Sequence, residues 1–109
     1  MRFDVLTLFP RMLEGFLAES MVGKSIERGL VEARVHNLRR WATDKHQITD
    51  DRPFGGGAGM VLKPEPIFAA LEELREPNST VIYLAPDGET LAHPLVLELA
   101  TLPHLILLS

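Results

Sequence analysis

Cysteine is absent from the 109-residue chain, which rules out a disulfide framework, a thiolate nucleophile and a cysteine-ligated metal. Long apolar runs are absent too. Stretches such as Val81-Ile82-Tyr83-Leu84-Ala85-Pro86 fall far short of the ~20 residues that cross a bilayer. Met1-Arg2-Phe3-Asp4 lacks the charged segment, apolar core and cleavage site of a secretory leader, so a cytoplasmic protein with no membrane partner is expected. Positive charge is not in surplus: 11 basic against 15 acidic residues leave a net charge of −4. That argues against sequence-independent binding to nucleic acid, which depends on excess positive charge. What is present is ordinary for a globular domain, with 46% apolar and 24% charged residues. Such a composition is too apolar for a disordered tail. The length suits one domain that buries roughly two-thirds of its unfolded surface.

The charge is unevenly spread. Between residues 24 and 52, Lys24, Arg28, Arg34, Arg39, Arg40, Lys45 and Arg52 face Glu27, Glu32, Asp44, Asp50 and Asp51, a local balance of +2 against −6 for the remainder. A solvated surface and a phosphate-facing patch both fit this distribution, and charge alone does not choose between them.

Apolar patterning alternates between two periods. Phe3 to Phe9 is rich in β-branched and aromatic residues and stops at Pro10, as a strand does. Pro10 suits a first helical turn, with Met12, Leu13, Phe16 and Leu17 as one apolar face. A short helix around Lys24–Arg28 is expected to end at Gly29, and Val31, Ala33 and Val35 alternate with charges like a half-exposed strand. From Arg39 to Gly59 the periodicity vanishes, and loops of that length in compact domains are usually functional or mobile. Ile67, Ala70, Leu71 and Leu74 then return at helical spacing. Thr80–Ala85 reads as a strand buried on both faces, Pro94 opens a helix running to Leu102, and Leu105–Leu108 is a second buried strand. The predicted fold class is α/β, a mostly parallel sheet with helices on both faces. In such sheets ligands gather at the carboxyl ends of strands, here Leu8-Phe9-Pro10, Ala85-Pro86-Asp87-Gly88 and Leu108-Ser109. With the third tip at the last residue, topology predicts the amino-terminal piece of something longer.

The segment Asp50-Asp51-Arg52-Pro53-Phe54-Gly55-Gly56-Gly57-Ala58-Gly59-Met60 holds four glycines in five positions, which lets the backbone approach an anion or a base edge closely. No Lys-Ser/Thr follows the last glycine, so it is not a P-loop. The glycine spacing also fails the dinucleotide fingerprint. A plain linker would be richer in serine and would not be led by Asp-Asp-Arg-Pro. His36, His46, His93 and His104 are too dispersed for a metal pair on one helix, and no metal is expected. His46 reads either as a solvent-exposed loop residue or as a substrate contact near Asp50, and at most one of Asp50 and Asp51 faces a site. Trp41, beside Arg39 and Arg40, is open to two readings: stacking on a base or packing where the loop leaves the sheet.

Taken together, these motifs resemble the bacterial tRNA (guanine-N1)-methyltransferases, which methylate the guanine just 3′ of the anticodon. The resemblance rests on Leu6-Thr7-Leu8-Phe9-Pro10 with Met12, Gly29-Leu30, the Asp50–Met60 segment, Pro64-Glu65-Pro66, Tyr83-Leu84-Ala85-Pro86-Asp87-Gly88 and Leu99-Ala100. It covers the whole chain in order. Ala85 stands where many members carry serine, and Ala58 where some carry proline. The resemblance implies a trefoil-knotted α/β methyltransferase that works as a homodimer, uses S-adenosyl-L-methionine and acts on tRNA. Carried over by position, it implies that Tyr83, Leu84, Ala85, Pro86 and Gly88 bind the donor. It places His46, Asp50, Arg52, Gly55, Gly56, Gly57, Ala58 and Gly59 near the target guanine, with the basic stretch meeting tRNA phosphate. Residues 1–109 would then be the amino-terminal part of the donor-binding domain. The rest of the knot, the general base and a helical carboxy-terminal domain are expected beyond Ser109, so no catalytic residue is nominated in this chain. The fragment alone is expected to be inactive and to dimerise or aggregate. The alternative class is a non-catalytic RNA- or nucleotide-binding module.

Overall fold

The computed structural model describes residues 1–42, 50–51, 61–62 and 64–109. Along the chain run β1 (Arg2–Thr7), α1 (Pro10–Ala18), α2 (Ser20–Glu27), β2 (Glu32–Asn37), a 3-10 turn (Leu38–Trp41), β3 (Asp50–Asp51), β4 (Val61–Leu62), α3 (Pro64–Leu74), β5 (Ser79–Tyr83), α4 (His93–Leu99) and β6 (His104–Leu108). One sheet carries the order β2-β1-β6-β5, with every neighbouring pair parallel. β3 and β4 form a separate antiparallel pair, Asp50 opposite Leu62 and Asp51 opposite Val61.

Strand order dictates where the helices lie. The β1→β2 and β5→β6 connections step the same way across the sheet, and β2→β5 steps back. Right-handed crossovers therefore put α1, α2 and α4 on one face and α3 on the other. The α3 face holds the main core. Ala70, with Ile67, Leu71 and Leu74 on the same helical stripe, packs with Leu6, Leu38, Ile106 and Leu108, joined by Leu8, Trp41 and Val81. Fully covering a leucine or isoleucine is worth roughly 1.5–3 kcal/mol, so Leu6, Leu38 and Ile106, with no exposed surface, anchor the fold from β1, the turn after β2, and β6.

Two glycines answer specific demands. Gly29 takes a φ of +74° at the end of α2. Its N–H donates to Ile26 O and that of Leu30 to Ser25 O, both at 3.0 Å, the double bond that stops a helix with a left-handed residue. At Gly23 a Cβ would lie 2.6 Å from the Ala18 carbonyl oxygen, so the close approach of α1 and α2 requires its absence.

Three expectations need correction. Thr80–Ala85 is not a strand buried on both faces. β5 ends at Tyr83, pairs with β6 alone among the described residues and so lies at the edge of the described sheet, and is half-buried at best. Its apolar run continues past the strand into a turn, which periodicity does not detect. The stretch from Arg39 is not wholly irregular, because Arg39–Trp41 belong to the 3-10 turn and Asp50–Asp51 to β3. On α1 only Leu13 and Leu17 turn inward, while Met12 is 76% and Phe16 62% exposed. A nine-residue helix resting on β2 and α2 has room for one narrow apolar edge, not the full face expected.

Candidate functional site

The carboxyl rim of the sheet is stitched together by main-chain hydrogen bonds. At its outer end, Pro86 and Asp87 sit at the corner of a tight turn that Gly88 N–H closes by donating to Ala85 O at 3.2 Å, a role for which proline's fixed φ is suited. Leu84 N–H donates to Leu108 O at 3.1 Å, which ties the turn to β6. Ser109 N–H donates to Leu6 O at 3.0 Å, which ties β6 to β1. Beyond β1, Phe9 N–H donates to Thr7 Oγ1 at 3.1 Å. Arg39 Nη1, reaching from the turn after β2, donates to Leu8 O at 2.8 Å.

This rim exposes apolar surface. Tyr83 is 61%, Leu84 57% and Phe9 61% exposed, whereas the adjoining strand residues Leu6 and Leu108 are buried. Tyr83, Leu84, Ala85, Pro86 and Gly88 thus come together in one turn at the strand tips that the sequence singles out, with Ala85 half-buried and the others open to solvent. Asp50 lies in β3, opposite Leu62. His46, Arg52, Gly55, Gly56, Gly57, Ala58 and Gly59 lie outside the described residues.

A second polar constellation escaped the sequence reading. Asp4 on β1 has no exposed surface. Its Oδ1 lies 2.7 Å from His36 Nε2, its Oδ2 2.6 Å from His104 Nε2, and Arg2 Nε is 3.3 Å from Oδ2. A carboxylate only accepts, so both Nε2 atoms carry hydrogen. His104 Nδ1 meets the Ser79 hydroxyl at 2.5 Å, and that hydroxyl also accepts from Glu76 N–H at 2.8 Å. Arg2 Nη2 donates to Glu76 at 2.8 Å. Burial opposes ionisation of Asp4, but the hydrogen bonds from His36 and His104, with the charges of His36 and Arg2, outweigh it and hold its pKa below the ordinary carboxylate value. Asp4 is separated by 32 and 100 residues from its two histidines, and no local spacing signals such a cluster.

Trp41 resolves in favour of packing. Its ring joins the core, meets His36 edge-on at 5.9 Å and carries the Arg40 guanidinium at 4.6 Å. A shallow groove lined by Phe68, Leu71, Glu72, Arg75, Glu76 and Pro77 lies at the end of α3, beside Arg2 and away from the rim of the turn. Among the described residues no helix is long and apolar enough to cross a membrane.

Comparison with known proteins adds to this geometry. The family model described as tRNA (Guanine-1)-methyltransferase TrmD matches residues 1–109. Three curated relatives, each called a tRNA (guanine-N(1)-)-methyltransferase, illustrate the similarity. The protein of Chloroflexus aurantiacus is 50% identical over 110 residues, covering 98% of this chain and 44% of its own length. That of Syntrophotalea carbinolica is 52% identical over 102 residues, covering 92% and 41%. The Dictyoglomus turgidum protein is 45% identical over 108 residues, covering 99% and 44%. The chain therefore spans less than half the length of these relatives.

Proposed function

Since this chain belongs to the tRNA (guanine-1)-methyltransferase family, we propose that it builds the methyl-donor side of an enzyme that methylates N1 of the guanine 3′ of the anticodon in tRNA. S-adenosyl-L-methionine is the donor in this reading, and supplies a methyl group on a positively charged sulfur. The observation that carries the reading is the turn after β5, where Tyr83 and Leu84 are exposed at a strand tip although both are large and apolar. Such side chains on the rim of a parallel sheet suit a flat, partly apolar ligand.

The residues fit that group in two ways. Tyr83 and Leu84 offer apolar surface to the adenosine part, and the backbone of Ala85, Pro86 and Gly88 follows them in a turn closed by its own hydrogen bond. Because Leu84 N–H is bonded to Leu108 O, the turn is held by β6 rather than by its ligand, and is pre-organised for binding. As N1 of guanine acquires the methyl group it gives up its proton, which a general base must take. We assign that base to no residue of this chain. His46, Asp50, Arg52, Gly55, Gly56, Gly57, Ala58 and Gly59 are proposed to lie near the target guanine, with the basic stretch from Lys24 to Arg52 facing tRNA phosphate. We further propose a cytoplasmic homodimer with the trefoil-knotted methyltransferase fold, this chain being its amino-terminal part.

Calorimetric titration of S-adenosyl-L-methionine, together with a methyl-transfer assay on tRNA, tests the reading in the full-length polypeptide carrying this chain. Donor binding, and methylguanosine formation that Leu84→Asp abolishes, are expected. Salt-sensitive tRNA binding without donor affinity would instead favour a non-catalytic RNA-binding module.

A further inference from the structure

Three features of α1 are unfavourable in the chain as it stands. Met12 is 76% and Phe16 62% exposed, and Phe9, just before the helix, is 61% exposed. These three follow the i, i+3, i+7 spacing of a single helical stripe. Gly15 sits in the helix interior, where only proline is less favourable, yet a Cβ there would meet nothing within 4 Å. Unlike Gly23, it answers no demand of the chain's own packing. Arg11 and Glu19, at the two ends of the helix, are exposed, and neither has an ion-pair partner among the described residues.

Helical geometry joins these features. Arg11, Gly15 and Glu19 are spaced four apart and form one ridge, with Met12 and Phe16 forming the ridge beside it. Gly15 stands at the midpoint of its ridge and has no side chain to hold another helix away. Turned end over end about that point, the ridge matches itself. Gly15 meets the glycine of the second copy, and Arg11 meets Glu19 at both ends. A two-fold axis passing between the glycines leaves the Met12 and Phe16 ridges of both copies on the same side, where they cover each other. Self-complementarity of this kind is what a homodimer contact requires. A nucleic acid would instead require surplus positive charge, and Glu14 and Glu19 outnumber Arg11 here.

We propose that the outer side of α1 is the centre of the interface between two copies of this chain, the helices pairing antiparallel at Gly15. The inference rests on the homodimer reading above and names its surface. Large apolar side chains beside a close backbone approach form the well-packed middle of such an interface, where most of the binding energy gathers. The two Arg11–Glu19 pairs fix its register and orientation.

Sedimentation equilibrium of the full-length polypeptide carrying this chain tests the inference. Phe16→Asp is expected to weaken dimerisation roughly 30-fold or more, the scale of a central interface residue. Gly15→Leu should weaken it comparably although leucine is the better helix former, so the helical circular dichroism should not fall. Arg11→Glu and Glu19→Arg each set like charges face to face across the axis, and each should favour the monomer. An equimolar mixture of these two variants should recover a heterodimer. Within one copy the two residues lie roughly 12 Å apart along the helix, so only pairing between copies produces that recovery. A dimeric parent left unweakened by Phe16→Asp and Gly15→Leu, or charge variants that do not recover on mixing, would overturn the inference and leave the homodimer reading in place. A monomeric parent would defeat both.

Discussion

Around Asp4, a carboxylate, two imidazoles and a hydroxyl turn inward and satisfy one another, whereas at the end of β5 the large apolar side chains of Tyr83 and Leu84 stand open to solvent. The first region holds charges where water does not reach and partners them within the chain. The second holds apolar surface where water does reach and leaves it without a partner among the described residues. Each arrangement is costly alone: a buried charge requires a partner, and exposed apolar surface is expected to find one. The chain meets the first demand itself, so the Asp4 cluster is a structural element. The second demand is met by nothing among the described residues, and the proposed reading assigns it to the methyl donor.

The comparison is broken most directly at Asp4. Asp4→Asn leaves imidazole donors facing an amide that accepts on one side only, and is expected to cost about 3–5 kcal/mol, the usual loss when a buried pair is severed. Urea denaturation at neutral pH measures it, and a loss below about 1 kcal/mol would make the cluster incidental. The same group shapes the acid limb. Its folded pKa lies below the ordinary value, so its contribution is full above the unfolded carboxylate pKa and is lost as pH falls through the folded one. Stability plotted against pH should therefore decline toward acid in the parent and flatten in Asp4→Asn.

Next in size is Gly23→Ala, whose new methyl would press on the Ala18 carbonyl. A loss of about 1–3 kcal/mol, typical of overpacking, should appear as a lower Tm. An unchanged Tm would mean that α1 and α2 part without difficulty. Tyr83→Ala sharpens the contrast from the other side. An exposed residue away from packing usually alters stability by less than about 0.5 kcal/mol, while calorimetry should record donor affinity weaker by about tenfold, equivalent to about 1.4 kcal/mol. The smallest effect belongs to Glu73→Ala. It removes the exposed partner of Arg40, and surface pairs of this kind are worth about 0–1 kcal/mol.

Strand and helix positions were largely legible, because β1, α3 and β6 carry clean apolar patterns and Gly29 marks a helix end by a backbone requirement. The edge position of β5 was not. A run such as Val81-Ile82-Tyr83-Leu84-Ala85 reads identically whether its last residues meet a core or a ligand, and only strand order distinguishes them. The turn after β5 could be located from its proline and glycine, but its tie to β6 required coordinates. The Asp4 cluster and the Arg39 bridge were illegible for one shared reason. Their partners meet across parallel strands and come from distant parts of the chain, so no periodicity or motif brings them together before the sheet does.

The central claim is that the methyl donor is held at the turn after β5. Amide chemical shifts of the isotope-labelled full-length polypeptide carrying this chain, followed while S-adenosyl-L-methionine is added, test it most directly. Saturable shifts concentrated at Tyr83, Leu84, Ala85 and Gly88, with the amides of Asp4 and His36 undisturbed, are the result expected. Saturable shifts centred on Asp4 and His36 with the turn silent would contradict it.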